Sequence, residues 1–86
     1  MGQQRSRVVS SSALLNGSHP VTIRAISVAS IQPNSSLEIH DTTDGSGNAI
    51  FIVDGTENAC HAPLEIRVRY LYAKINGPAV YNVVWD

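Results

Sequence analysis

The sequence predicts an all-β domain, a small antiparallel β-sandwich with a jelly-roll-like strand arrangement, and three observations carry that expectation. Apolar residues recur at alternate positions, most clearly in Leu64, Ile66, Val68, Tyr70 and Tyr72, and successive side chains of an extended chain point to opposite faces. Gly, Pro, Asn, Asp and Ser interrupt the apolar runs at short intervals along the chain, the punctuation of sandwiches and barrels. No segment sustains the i, i+3, i+4 apolar stripe of a helix of ordinary length.

Taken in order, residues 1–7 are polar and read as an N-terminal arm, with a single domain over residues 8–86. A first strand is expected over residues 8–15, closed by the turn pair Asn16-Gly17. A second covers residues 21–30. Val21, Ile23 and Ala25 share one phase there while Ile26 and Val28 take the other, which predicts a bulge or a strand covered on both faces. Pro33, Asn34 and the serines beside them mark a loop. Residues 37–42 follow as a third strand, with Leu37 and Ile39 inward and Glu38 and His40 outward. After the flexible turn at residues 44–48, the continuous apolar run at 49–53 is expected to be a central strand. Residues 54–58 form the next loop. The strand that begins at Leu64 alternates an apolar face with Glu65, Arg67 and Arg69. Asn76-Gly77-Pro78 then turns the chain, and residues 79–85 are expected to return antiparallel to it.

Eighty-six residues make one domain. A chain of this size buries only ~60–65% of its unfolded surface, so small domains often add disulfides, a metal or oligomerisation. Cys60 is the single cysteine, and no internal disulfide can form. Packing against copies of itself or another protein is the remaining remedy. Charged residues are 15% of the chain, against about 25% in ordinary soluble domains. The net charge is −1, and Arg5, Arg7, Arg24, Arg67, Arg69 and Lys74 form no basic run. Nucleic-acid binding by phosphate neutralisation is not expected. Arginine predominates over lysine, as at protein interfaces. No apolar stretch approaches the ~20 residues of a membrane span, and no apolar segment follows the N-terminal charges as in a signal peptide. Synthesis in a reducing cytoplasm is expected.

Several constellations invite chemistry, and each has a simpler account. Met1-Gly2 with Ser6 matches a myristoylation pattern, yet a solvated arm explains the same residues. Residues 41–48 gather oxygen-bearing side chains without the spacing of a calcium loop, and a hairpin turn accommodates them. His19, His40 and His61 lie at equal intervals but in unlike surroundings, and read as surface histidines. Cys60 and His61 are adjacent in extended chain and so point apart, which rules out a shared proton. Cys60 is expected to be a small, buried or half-buried apolar residue. Ser46 lacks the pattern of a nucleophile elbow, and no carboxylate pair stands out. Neither a catalytic site, a metal nor a cofactor is expected. Among the few aromatics, Tyr81 and Trp85 share a phase opposite to Val80 and Val84. Most aromatics should fill the core. If the valines face inward, however, Tyr81 and Trp85 form an exposed binding surface.

Leu37-Glu38-Ile39-His40-Asp41, Gly47-Asn48-Ala49-Ile50-Phe51, Pro63-Leu64-Glu65-Ile66-Arg67-Val68 and the segment from Tyr72 to Val80 together resemble small structural proteins of tailed phages, of the capsid decoration (cement) or knob type. The likeness runs from Val21 to Asp86 and rests on structural motifs. It implies a virion protein on the capsid surface, made in the host cytoplasm. Such a protein bridges subunits of the major capsid protein, or copies of itself, and so stabilises the head. Arg5 and Arg7 on the arm, with Tyr81 and Trp85, are the candidate partner-binding residues. Two rival readings stand beside it. One is a tail, fibre or neck component of the same fold. The other is a carbohydrate-binding module using Tyr81, Trp85, Asp41 and Asn48.

Overall fold

Each sheet of this protein is assembled from strands distant in sequence, because the chain changes sheet at nearly every connection. The computed structural model describes residues 4–30, 35–54 and 60–86. Nine strands lie in these residues: β1 (Arg5–Val9), β2 (Ala13–Asn16), β3 (Val21–Ser30), β4 (Ser36–His40), β5 (Phe51–Asp54), β6 (Cys60–His61), β7 (Ile66–Val68), β8 (Leu71–Asn76) and β9 (Val80–Trp85). One sheet has the order β1-β9-β3, and β6 and β7 lie end to end along the far edge of β3. The other has the order β2-β8-β4-β5, and every pairing in both sheets is antiparallel. With β6 and β7 counted as one interrupted strand, the molecule is an eight-stranded jelly roll. Among the described strands, β4 and β5 are the one consecutive pair that are hydrogen-bonded neighbours in a sheet.

The phase change expected in the second strand is present. β3 spans Val21–Ser30, and its pairing with β9 shifts register between Ile23 and Ala25 and again between Val28 and Ser30. A bulge inserts one residue and returns the following side chains to the core face, which puts Ile23 and Ile26 on the same interior.

Several expectations are corrected. The arm does not extend to Arg7, because β1 begins at Arg5 and pairs with β9 over its whole length. The single strand at residues 8–15 is two strands, with Ser10, Ser11 and Ser12 carrying the chain from one sheet to the other. The strand from Leu64 onward also breaks. It bends at Arg69 and Tyr70, and the inward phase moves from Val68 to Leu71 and Ala73. β8 and β9 are not a hairpin, since Asn76-Gly77-Pro78 leads across the sandwich. The apolar run before Asp54 lies at an edge of its sheet, where Ile50 and Ile52 are exposed. Of the two loops expected around Pro33 and at 54–58, residues 31–34 and 55–59 lie outside the described residues.

The core lies between the sheets. Ile23, Val83 and Tyr81 face it from one side, and Leu37, Ile39 and Leu71 from the other; each is fully buried. Burial of a side chain of this size contributes ~1.5–3 kcal/mol.

Candidate functional site

Tyr81, Val83 and Trp85 alternate along β9, with Val80, Asn82 and Val84 between them. β9 lies between β1 and β3, so its inward phase faces the centre of the sandwich. The larger side chains occupy that phase. Tyr81 is 0% and Trp85 5% exposed, which overturns the exposed aromatic surface. The Tyr81 hydroxyl crosses the core and donates to the Val53 carbonyl at 3.4 Å. Burial, then the negative charge of Asp54, pushes the phenol above its ordinary range, against a smaller opposing hydrogen bond with Ser35.

Arg5 and Arg7 are exposed on β1, opposite Trp85 and Val83 respectively. They share the inward phase of Val9, the one buried residue of β1. An edge strand with inward-phase charges resists pairing with a further strand. The structure therefore separates the four predicted partner residues into an exposed edge pair and a buried core pair.

The outer face of the second sheet carries residues that the sequence did not single out as a group. Leu14 on β2 lies opposite Tyr72 on β8, and Tyr72 lies opposite His40 on β4. The β4–β5 connection folds over this row. A Cβ at Gly45 would stand 2.6 Å from the Tyr72 ring, and Gly45 has φ of 77°, so only glycine fits there without displacement. Gly45 and His40 are buried on this face, which corrects the expectation that His40 points to solvent. His40 Nε2 donates to Glu38 Oε1 at 2.8 Å, and Asn76 Nδ2 donates to Glu38 Oε2. The His40 hydrogen bond is the largest cause holding the Glu38 carboxyl below its usual range; Asn76, Lys74 and the His40 charge act the same way, and burial opposes them.

The acidic turn satisfies itself. Asp41 Oδ1 accepts the backbone N–H groups of Arg69 and Tyr70 at 3.0 and 2.8 Å, fastening β4 to the bend between β7 and β8. Asp44 Oδ1 accepts from Ser46 N at 3.0 Å, and Thr42 Oγ1 from Gly45 N at 2.9 Å. Among the described residues no group of three His, Cys, Asp or Glu side chains could hold a metal ion, and no pocket is present. Asn48 is exposed. Cys60 is exposed as well, contrary to expectation: β6 is an outer strand, and Cys60 takes the phase opposite to His61. His61 packs edge-on against Phe51, with ring centroids 5.6 Å apart.

Comparison with protein-family models, curated proteins and solved structures finds no match.

The surfaces open to a partner are thus the outer faces and the sheet edges, and the edges differ. β1 has its inward-phase arginines. β2 has a register shift between Leu14 and Asn16. β6 and β7 are two and three residues long and are separated by Pro63, which follows a cis peptide bond and has no N–H to donate. Charge, bulges and brevity all discourage strand addition. Among the described residues, β5 is the remaining edge strand; Ile52 on it is 61% exposed and Ile50, at the bend that precedes it, 47%.

Proposed function

We propose that this protein is an adhesive structural component of a phage virion, a capsid-decorating protein that stabilises the head by bridging capsid subunits. The observation that carries the reading is the strand order β1-β9-β3-β6/β7 over β2-β8-β4-β5. This is the jelly roll used by viral capsid and lectin domains. The interior is filled by side chains such as Tyr81 and Trp85, so binding takes place on the outer faces and edges. The resemblance of residues 21–86 to small structural proteins of tailed phages, of the decoration or knob type, supports the same reading. A lectin-like reading loses its aromatic platform, because Tyr81 and Trp85 are core residues and Asp41 is committed to backbone N–H groups.

Mechanistically, a rigid sandwich seated across a subunit joint adds contacts that must break before the shell opens. Co-sedimentation with expanded phage heads tests the proposal. Saturable pelleting at a fixed ratio to capsid subunits is expected. Pelleting with purified tails and not with heads would instead assign the protein to the tail.

A further inference from the structure

We propose that Asn16-Gly17 is a site of spontaneous covalent modification, at which the asparagine loses its amide and the chain rearranges to aspartyl and isoaspartyl forms, while the fold protects the second such pair, Asn76-Gly77. An asparagine followed by glycine is prone to this reaction because no Cβ shields the glycine nitrogen and the glycine backbone turns freely. Gly17 N attacks Asn16 Cγ. The N–Cγ bond forms, the Cγ–Nδ2 bond breaks, and Nδ2 leaves as ammonia with the Gly17 proton; a succinimide ring remains. Water then adds at Cγ to give aspartate, or at the main-chain carbonyl carbon of Asn16 to give isoaspartate, whose main chain runs through Cβ and Cγ.

The two pairs sit in different surroundings. Asn16 ends β2, and Gly17, Ser18 and His19 beyond it are exposed. Asn16 Oδ1 accepts the Ser18 N–H at 3.3 Å, which closes an Asx turn. A side chain curled onto the nitrogen two residues on lies across the nitrogen between, so Cγ is held beside Gly17 N, and such proximity favours attack. The same N–H stabilises the oxygen as charge gathers on it. Among the described residues nothing accepts from Asn16 Nδ2, so the leaving nitrogen gives up no hydrogen bond to the protein. Asn76 is held by its nitrogen instead. Nδ2 donates to Ser36 Oγ at 3.2 Å and to Glu38 Oε2, both on the neighbouring β4, and its departure breaks both bonds. A carboxylate formed there would also stand against that of Glu38, and like charges so placed oppose each other. At Asn16 the change alters the sheet. Asn16 pairs with Leu71 just past the register shift, and the extra main-chain carbon of isoaspartate opens that end of the β2–β8 ladder. The site stands independently of the virion reading.

The experiment incubates the full chain at mildly alkaline pH, folded and in guanidinium chloride. Tryptic fragments 8–24 and 75–86 are followed by mass spectrometry, each change is located by fragmentation, and isoaspartate is scored by isoaspartyl methyltransferase labelling. In the folded chain Asn16 should convert about tenfold or more faster than Asn76, because the protected amide must first give up a hydrogen bond to a carboxylate. In guanidinium chloride the two rates should converge. Gly17→Ala, whose Cβ comes closest, at 3.0 Å, to the tip of the Leu14 side chain, should slow Asn16 and leave Asn76 unchanged. Comparable rates at the two sites in the folded chain, or a faster Asn76, would overturn the proposal. So would an Asn16 that converts only when unfolded, or a ratio that guanidinium chloride leaves unchanged.

Discussion

Replacing Tyr81 by alanine tests which phase of β9 builds the core. The side chain is 0% exposed and lies opposite Val9 on β1 and Val28 on β3, reaching Val53 of the facing sheet. Removing a buried aromatic costs ~3–5 kcal/mol, from lost transfer energy and the cavity left behind. A chain of 86 residues has a total stability of about 4–13 kcal/mol, so Tyr81→Ala should leave the domain marginal or unfolded. Tyr81→Phe separates the hydroxyl from the ring. It should cost about 1 kcal/mol or less, because a single hydrogen bond contributes ~0.5–1.5 kcal/mol and this one is long. Trp85, the only tryptophan and itself buried, reports unfolding in urea by its fluorescence. A loss under ~1 kcal/mol for Tyr81→Ala beside a larger loss for Val80→Ala would contradict the inward phase of Tyr81. That result would place the valines inward.

Other perturbations address separate parts of the account. Gly45→Ala should destabilise more than Gly47→Ala in the same melts: both glycines have φ of 77°, but only at Gly45 does a Cβ meet the Tyr72 ring. Val68→Ala should cost roughly 1–3 kcal/mol, and Arg67→Ala, on the exposed face, within about 0.5 kcal/mol; equal losses would contradict the inward phase of β7. Stability should also fall at both ends of the pH range. Glu38 ionises more readily when folded, so its contribution holds above about pH 4.3 and disappears as pH falls through its lower folded value. Glu38→Gln should flatten that limb. Tyr81 is shifted upward, so its contribution holds below about pH 10 and is lost as pH rises towards its folded value. Tyr81→Phe should remove the alkaline dependence, and an unchanged alkaline limb would contradict the assignment to this phenol.

Fold class, the span of β3 and its bulge were legible because they depend on local alternation. Sheet membership was not. Asn76-Gly77-Pro78 has the chemistry of a turn, and the same residues serve a hairpin or a crossing between sheets. Ser10, Ser11 and Ser12 are turn-favouring residues and mark the break between β1 and β2, but with no glycine or proline among them the apolar residues on either side read as one strand. On β9 both phases carry apolar residues, with Val80 and Val84 flanking Asn82 in one and Tyr81, Val83 and Trp85 in the other, and the facing sheet decides that Tyr81 and Trp85 go in. The run before Asp54 reads as central because an apolar edge and a covered strand have the same composition. His40 is buried by a connection that folds back on its own sheet, which alternation along β4 cannot foresee. As for the candidate site, Arg5 and Arg7 were found as exposed residues, but the residue types could not reveal that they lie in an edge strand and not an arm.

The proposed adhesion of this jelly roll to a capsid is tested by heating expanded phage heads with and without saturating protein and recording the temperature at which they release DNA. The account predicts a rise that saturates at a fixed ratio of protein to capsid subunit. An unchanged release temperature with the protein bound would contradict it.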